Sequence, residues 1–325
     1  MTHLEILERL RAVNVLSPPE VERLAAYEQA RRFSLHAELR TALYVGVLLL
    51  SGGLGVLIYQ NLDTIGHQVI TAGITALMAG CFWYVWRERK PYANGFVRHA
   101  SPLPDYALLL GCLLFLSLET FVQVQYQFFG TRYGLATILP AVFFLALAYR
   151  FDHRGVLAMG LTALASWVGL AAAPLEVLSE NAFSAPSVRH TALVFGVAVT
   201  GAALLLERWT IKAHFTPTFL ILAGNLSAVA ALVGWFGEAP AAYAYLPLVL
   251  GWCAVFLWYA RRTHSFFFLL LAVGYAYVAV TYLFFRILPE DLALAFALYY
   301  FVLSCGGIVW FLFQYKRLLG IPTPQ

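Results

Sequence analysis

Apolar runs of about 20 residues alternate with short polar connections from Thr41 to the basic pair Lys316 and Arg317. An α-helix rises about 1.5 Å per residue, so each run is long enough to cross the hydrocarbon core of a bilayer. The pattern predicts spans over residues 41–60, 65–86, 105–126, 134–149, 156–174, 191–207, 216–236, 241–260, 265–287 and 291–314. The fold class expected is all-α: a polytopic transmembrane helical bundle of about ten spans, preceded by a short N-terminal cytoplasmic helical segment.

Residues 1–39 break the pattern and are expected to form a cytoplasmic amphipathic head, with residues 40–325 as the bundle. Leu4, Ile6, Leu7, Leu10 and Val13 recur at helical spacing among Glu5, Glu8, Arg9 and Arg11. Ser17-Pro18-Pro19-Glu20 then reads as a helix start: an N-cap serine, proline at the first helical position, and a glutamate placed to reach back. Such a head either docks or senses a partner, or lies on the inner leaflet as interfacial helices. No continuous apolar core precedes Thr41, so targeting is expected to rest on the first span.

Charge sets the orientation. With the N-terminus inside, eighteen of the 21 Lys and Arg fall on the inner side, and Arg132, Arg189 and Arg286 fall outside. The positive-inside rule then places both termini in the cytoplasm. The net charge of +4 is explained by this inner-leaflet anchoring, so the bilayer is the expected partner and nucleic acid is not. Composition agrees, because 61% hydrophobic and 12% charged residues are foreign to a water-soluble domain.

Glu119 is the one acid deep within a span, and Gln123 and Gln127 follow it at steps of four. A continuous helix would put all three on one face, which is costly to expose to lipid. The stripe is either a proton or cation path or a hydrogen-bonded seam between helices. Arg132 lies at its mouth and with Arg189 and Arg286 could attract anions, although pairing with nearby acids is the expected state. Asn225, beside Gly224 and near Ser227, marks a place where the seventh span could loosen or approach a neighbour; Pro247 and the run Ser304-Cys305-Gly306-Gly307 are others.

Cys81, Cys112, Cys253 and Cys305 lie in apolar segments without ligand spacing and are expected to be packed thiols. No hydrolase triad, metal motif or phosphate-cradling glycine loop occurs, so no catalytic residue, cofactor or metal is expected. The connection 175–190 divides the chain into two halves of five spans, a number that would relate any repeat by inversion.

The stretch Glu119-Thr120-Phe121-Val122-Gln123-Val124-Gln125-Tyr126, with Gly130 and the apolar run 135–148 containing Pro140, resembles domain-of-unknown-function family 2157. The opening Leu16-Ser17-Pro18-Pro19-Glu20, leading to Ala25-Ala26-Tyr27-Glu28 and Arg31-Arg32, is similar to that family's first helix. The resemblance implies a bacterial polytopic inner-membrane protein and supplies no catalytic residue to carry over. Two functions are expected from different classes. One is a transporter or channel for a small solute or ion with Glu119 on the path. The other is a structural, assembly or sensing subunit that docks a protein partner or a second copy.

Overall fold

The computed structural model describes residues 17, 19–20, 36–60, 67–95, 102–130, 133–172, 186–237 and 240–319. Ten apolar helical segments follow one another, and no strand occurs among the described residues. We number them α1 (His36–Gln60), α2 (His67–Arg87), α3 (Leu103–Tyr126), α4 (Tyr133–Phe151), α5 (Arg154–Ala172), α6 (Pro186–Arg208), α7 (Ala213–Trp235), α8 (Leu246–Thr263), α9 (Phe266–Ile287) and α10 (Glu290–Leu318). The segments α2 to α9 are each long and apolar enough to cross a membrane, while the described apolar stretches of α1 and α10 are Thr41–Val56 and Ala295–Gly307. The protein is therefore a polytopic all-helical membrane protein.

The chain divides into two units, Met1–Ile70 and Thr71–Gln325. In the first, Ser17 and Glu20 form half of the expected capping box: the Glu20 carboxylate accepts from the Ser17 amide at 2.9 Å and from its hydroxyl at 2.6 Å. The serine hydroxyl thus donates to the glutamate instead of accepting from a backbone amide. Residues 1–16, 18 and 21–35 of the head lie outside the described residues, and residues 36–39 begin α1. Along α1, Leu48, Leu49 and Leu50 are exposed, as befits a lipid-facing surface.

In the second unit α7 is the centre. It is 56% buried, against 17–28% for the other spans among the described residues. Three hydrophobic clusters meet along it, the first through Phe215 and Phe219, the second through Leu220 and Ala228, and the third through Ala231 and Trp235. Lipid is as apolar as leucine, so close packing and internal hydrogen bonds, rather than water exclusion, hold such helices together. Small residues permit that packing. A Cβ on Gly196 of α6 would overlap Ser227 of α7, and one on Gly160 of α5 would lie 3.0 Å from Leu145 of α4.

Three turns, after α4, α6 and α8, stop their helices in the same way. The amides of His153, Ile211 and Ser265 reach back to the carbonyls of Ala148, Leu206 and Ala260 at 3.2, 2.9 and 3.0 Å. The residue before each donor, Asp152, Thr210 and His264, is left-handed with φ of 60°, 58° and 51°. This is the Schellman stop, which returns orphan carbonyls to backbone donors and is usually made by glycine. In each case an arginine stands two positions earlier: Arg150, Arg208 and Arg262.

Several expectations are corrected. α3 ends at Tyr126 and Gln127 is its left-handed cap, with φ 47°, so the polar stripe does not continue to Gln127 on one helix face. Pro247 sits in the first turn of α8, after the 3-10 turn Pro240–Tyr245, where its missing N–H is harmless, so it does not loosen a mid-span helix. A Cβ on Gly306 or Gly307 would meet nothing within 4 Å, so neither serves a close helix contact among the described residues. Cys305 is exposed, unlike the buried Cys112 and Cys253, and is not a packed thiol.

Candidate functional site

Glu119 sits in the C-terminal half of α3, where the helix has left the buried contacts of its first turns, Tyr106 to Leu114. Its Oε1 is buried and makes no hydrogen bond among the described residues. Gln123 is engaged at both ends of its amide. Its Oε1 accepts from the Phe129 amide at 2.9 Å and its Nε2 donates to the Gly130 carbonyl at 3.0 Å, so one side chain closes the α3–α4 turn. Gln127 contributes its backbone there, donating its amide to the Gln123 carbonyl at 3.0 Å. Arg132 lies outside the described residues.

Asn225 follows a π-helical turn, Leu220–Gly224, in the middle of α7. Such turns frequently mark functional sites in helices. The Asn225 amide donates to the Ile221 carbonyl at 2.6 Å and its oxygen accepts from the Tyr275 hydroxyl of α9 at 2.8 Å. Two residues on, fully buried Ser227 donates to the Leu193 carbonyl of α6 at 3.1 Å and accepts from the Trp252 indole of α8 at 3.0 Å. These two side chains tie α6, α8 and α9 to α7. The buried Thr200 hydroxyl of α6 has no hydrogen-bond partner among the described residues.

The strongest charge constellation was not among the sequence candidates. Asp152 and Lys212 form an ion pair at 3.1 Å with side chains 2% and 1% exposed, and His214 Nε2 donates to the same carboxylate oxygen. Two ordinary local features place them. The Schellman stop of α4 turns Asp152 inward, and Lys212, itself left-handed with φ 48°, leads the 3-10 turn Ala213–Phe215. The strap 88–95 covers the pair: Lys212 donates its amide to the Asn94 carbonyl at 3.1 Å, its ammonium lies 5.0 Å from the Tyr92 ring, and Arg150 donates to the Lys90 carbonyl at 3.0 Å. His153 caps α5, its Nδ1 accepting from the Val156 amide at 3.0 Å.

On the opposite ends of the helices, Arg189 donates to the Tyr245 hydroxyl at 3.2 Å and lies 5.0 Å from its ring. Arg286 donates to the carbonyls of Trp235 and Gly237 at 3.1 and 2.9 Å among the rings of Trp235, Tyr243 and Tyr282. Both guanidinium groups therefore serve as pins between helix ends.

A family model described as Predicted membrane protein (DUF2157) matches residues 8–157. Over that stretch, a little under half of the chain, the sequence is similar to DUF2157. The match takes in the Ser17–Glu20 box, Glu119, Gln123, Gln127 and Asp152, whereas Lys212, His214 and Asn225 lie beyond it. The buried ion pair thus joins the DUF2157 stretch to the remainder of the chain. No curated protein and no solved structure matches.

Proposed function

We propose that this protein is a non-catalytic structural, assembly or sensing subunit of the bacterial inner membrane, docking a protein partner through its N-terminal helices and bundle surface. The observation that supports this most is how polar side chains at membrane depth are used. Asn225 bonds Tyr275, and Ser227 bonds both Trp252 and a carbonyl of α6. Groups whose donors and acceptors are held inside the bundle specify its packing and offer little to a passing ion. The basic residue pattern supports a cytoplasmic head and both termini on that side.

The second reading is a transporter or channel for a small solute or ion, with Glu119 on the path and Gln123, Gln127, Arg132 and Asn225 beside it. The buried, unbonded Glu119 oxygen favours it. Photo-crosslinking in native membranes tests the first reading. Reactive residues placed within 1–35 should yield one adduct of fixed mass, and the same probe at exposed Tyr126 should not. Absence of a discrete adduct from every head position counts against a docking subunit.

A further inference from the structure

One side of α4 carries a groove of about 470 Å³, bounded by Phe129 of the preceding turn and by Leu135, Leu139, Val142 and Phe143, with a lining that is apolar throughout. Exposed Leu139 and Val142 leave it open on the bilayer side. Phe115, Glu119 and Gln123 follow one another at steps of four on α3 and so share one face of that helix. Two of them touch the groove's lining. The Phe115 ring packs on that of Phe143, with centroids 4.8 Å apart, and Gln123 accepts from the Phe129 amide at 2.9 Å. Glu119, between them, is thereby held at the groove's edge. Its Oε1 is buried and unbonded among the described residues, and its Oε2 makes no hydrogen bond there either and is not buried.

We propose that the groove and Glu119 together bind a lipophilic amine, its apolar body in the groove and its ammonium on the Glu119 carboxylate. Charge complementarity selects this class. A lipid chain would fill the groove yet leave the carboxyl unanswered, which is costly at membrane depth. A bare metal ion asks for several oxygen ligands, and the neighbouring Gln123 has both ends of its amide engaged. An organic ammonium brings its own apolar surface and needs one carboxylate, and hydrogen bonds with an ionised partner are the strong ones. Such a site goes beyond docking through the head, and it requires nothing to cross the membrane.

The full chain is placed in phosphatidylcholine nanodiscs and dialysed to equilibrium against naphthylmethylamine or naphthylmethanol, with empty nanodiscs as the blank. Wild type should bind the amine about tenfold more tightly than the alcohol, the order expected of one hydrogen bond to a charged group. Glu119→Gln should abolish that preference and leave alcohol binding unchanged, in a protein with the wild-type melting temperature. Val142→Trp fills the groove from an exposed position and should weaken both probes, whereas Val194→Trp, at an exposed position on α6, should bind both as wild type. These tryptophan variants keep the test decisive if Glu119→Gln does not fold. Equal affinity of wild type for amine and alcohol would mean that any hydrocarbon fills the groove, and overturns the site. So does an amine affinity that Glu119→Gln leaves intact, or one that Val142→Trp and Val194→Trp weaken alike. A dimer in native mass spectrometry that Val142→Trp dissolves would give the groove to a second copy and overturn it as well.

Discussion

Asp152 and Lys212 lie in different connections, one after α4 and the other after α6, yet their charged atoms stand 3.1 Å apart with both side chains withdrawn from solvent. Taking one partner away leaves the other buried and uncompensated. Asp152→Asn is therefore expected to destabilise the bundle by about 3–5 kcal/mol, read as a lower melting temperature in detergent. Adding Lys212→Met should restore most of the loss. A single variant that melts with wild type would show that the pair contributes nothing to stability.

Gly196 and Gly201 offer a matched pair on α6. A methyl at Gly196 would run into Ser227 and the Ala223 carbonyl, so Gly196→Ala must push α6 away from α7 at a cost of about 1–3 kcal/mol. At Gly201 nothing lies within 4 Å. Gly201→Ala should then gain about 0.5–1 kcal/mol of helix stability. Equal effects of the two substitutions on thermal stability would contradict the α6–α7 crossing.

The Ser17–Glu20 contact has a defined pH response. Hydrogen bonds from the Ser17 hydroxyl and amide hold the Glu20 carboxyl below its ordinary pKa. A depressed pKa contributes stability above the unfolded value, and that stability is lost as pH falls through the folded value. Amide protection at Glu20 should persist at neutral pH and decline below the ordinary carboxylate range. In Glu20→Gln the protection should lose this pH dependence. If wild type and variant respond identically to acid, the box does not hold the helix start.

Orientation is open to direct labelling. In a background with Cys81, Cys112, Cys253 and Cys305 replaced, Gln127→Cys should react with an impermeant thiol reagent from outside, and Asn94→Cys and His264→Cys should not. The reverse pattern would overturn the proposed placement of both termini.

Much of the architecture was legible because a span is written locally, as about 20 apolar residues flanked by aromatic and basic ones. The ten helices therefore appear where the runs are, and α1 extends the expected start from Thr41 back to His36. The features that escaped depend on contacts between distant positions. Lys212 counted as one more inner basic residue, because nothing next to it in sequence announces Asp152. Gln127 lies at the right spacing for the α3 face, but the helix stops one residue earlier and Gln123 is drawn into closing the turn. Gly224-Asn225 reads as a weak point in the sequence, and the π turn ends there, yet Tyr275, the partner of Asn225, and Trp252, the partner of Ser227, lie on other helices. Asp152 does carry one local signal, since it is an acid directly after the Arg150-Phe151 end of a span.

Glu119 separates the two functions most directly, because Glu119→Gln keeps size and hydrogen bonding while removing the exchangeable charge. Purified wild type and Glu119→Gln are reconstituted into proteoliposomes carrying a pH-sensitive dye, and an imposed proton gradient is followed with and without added monovalent cations. For a structural, assembly or sensing subunit, both proteins should dissipate the gradient at the rate of protein-free liposomes. A wild-type proton flux that Glu119→Gln abolishes, in a variant that melts normally, would contradict that account and place Glu119 on a transport path.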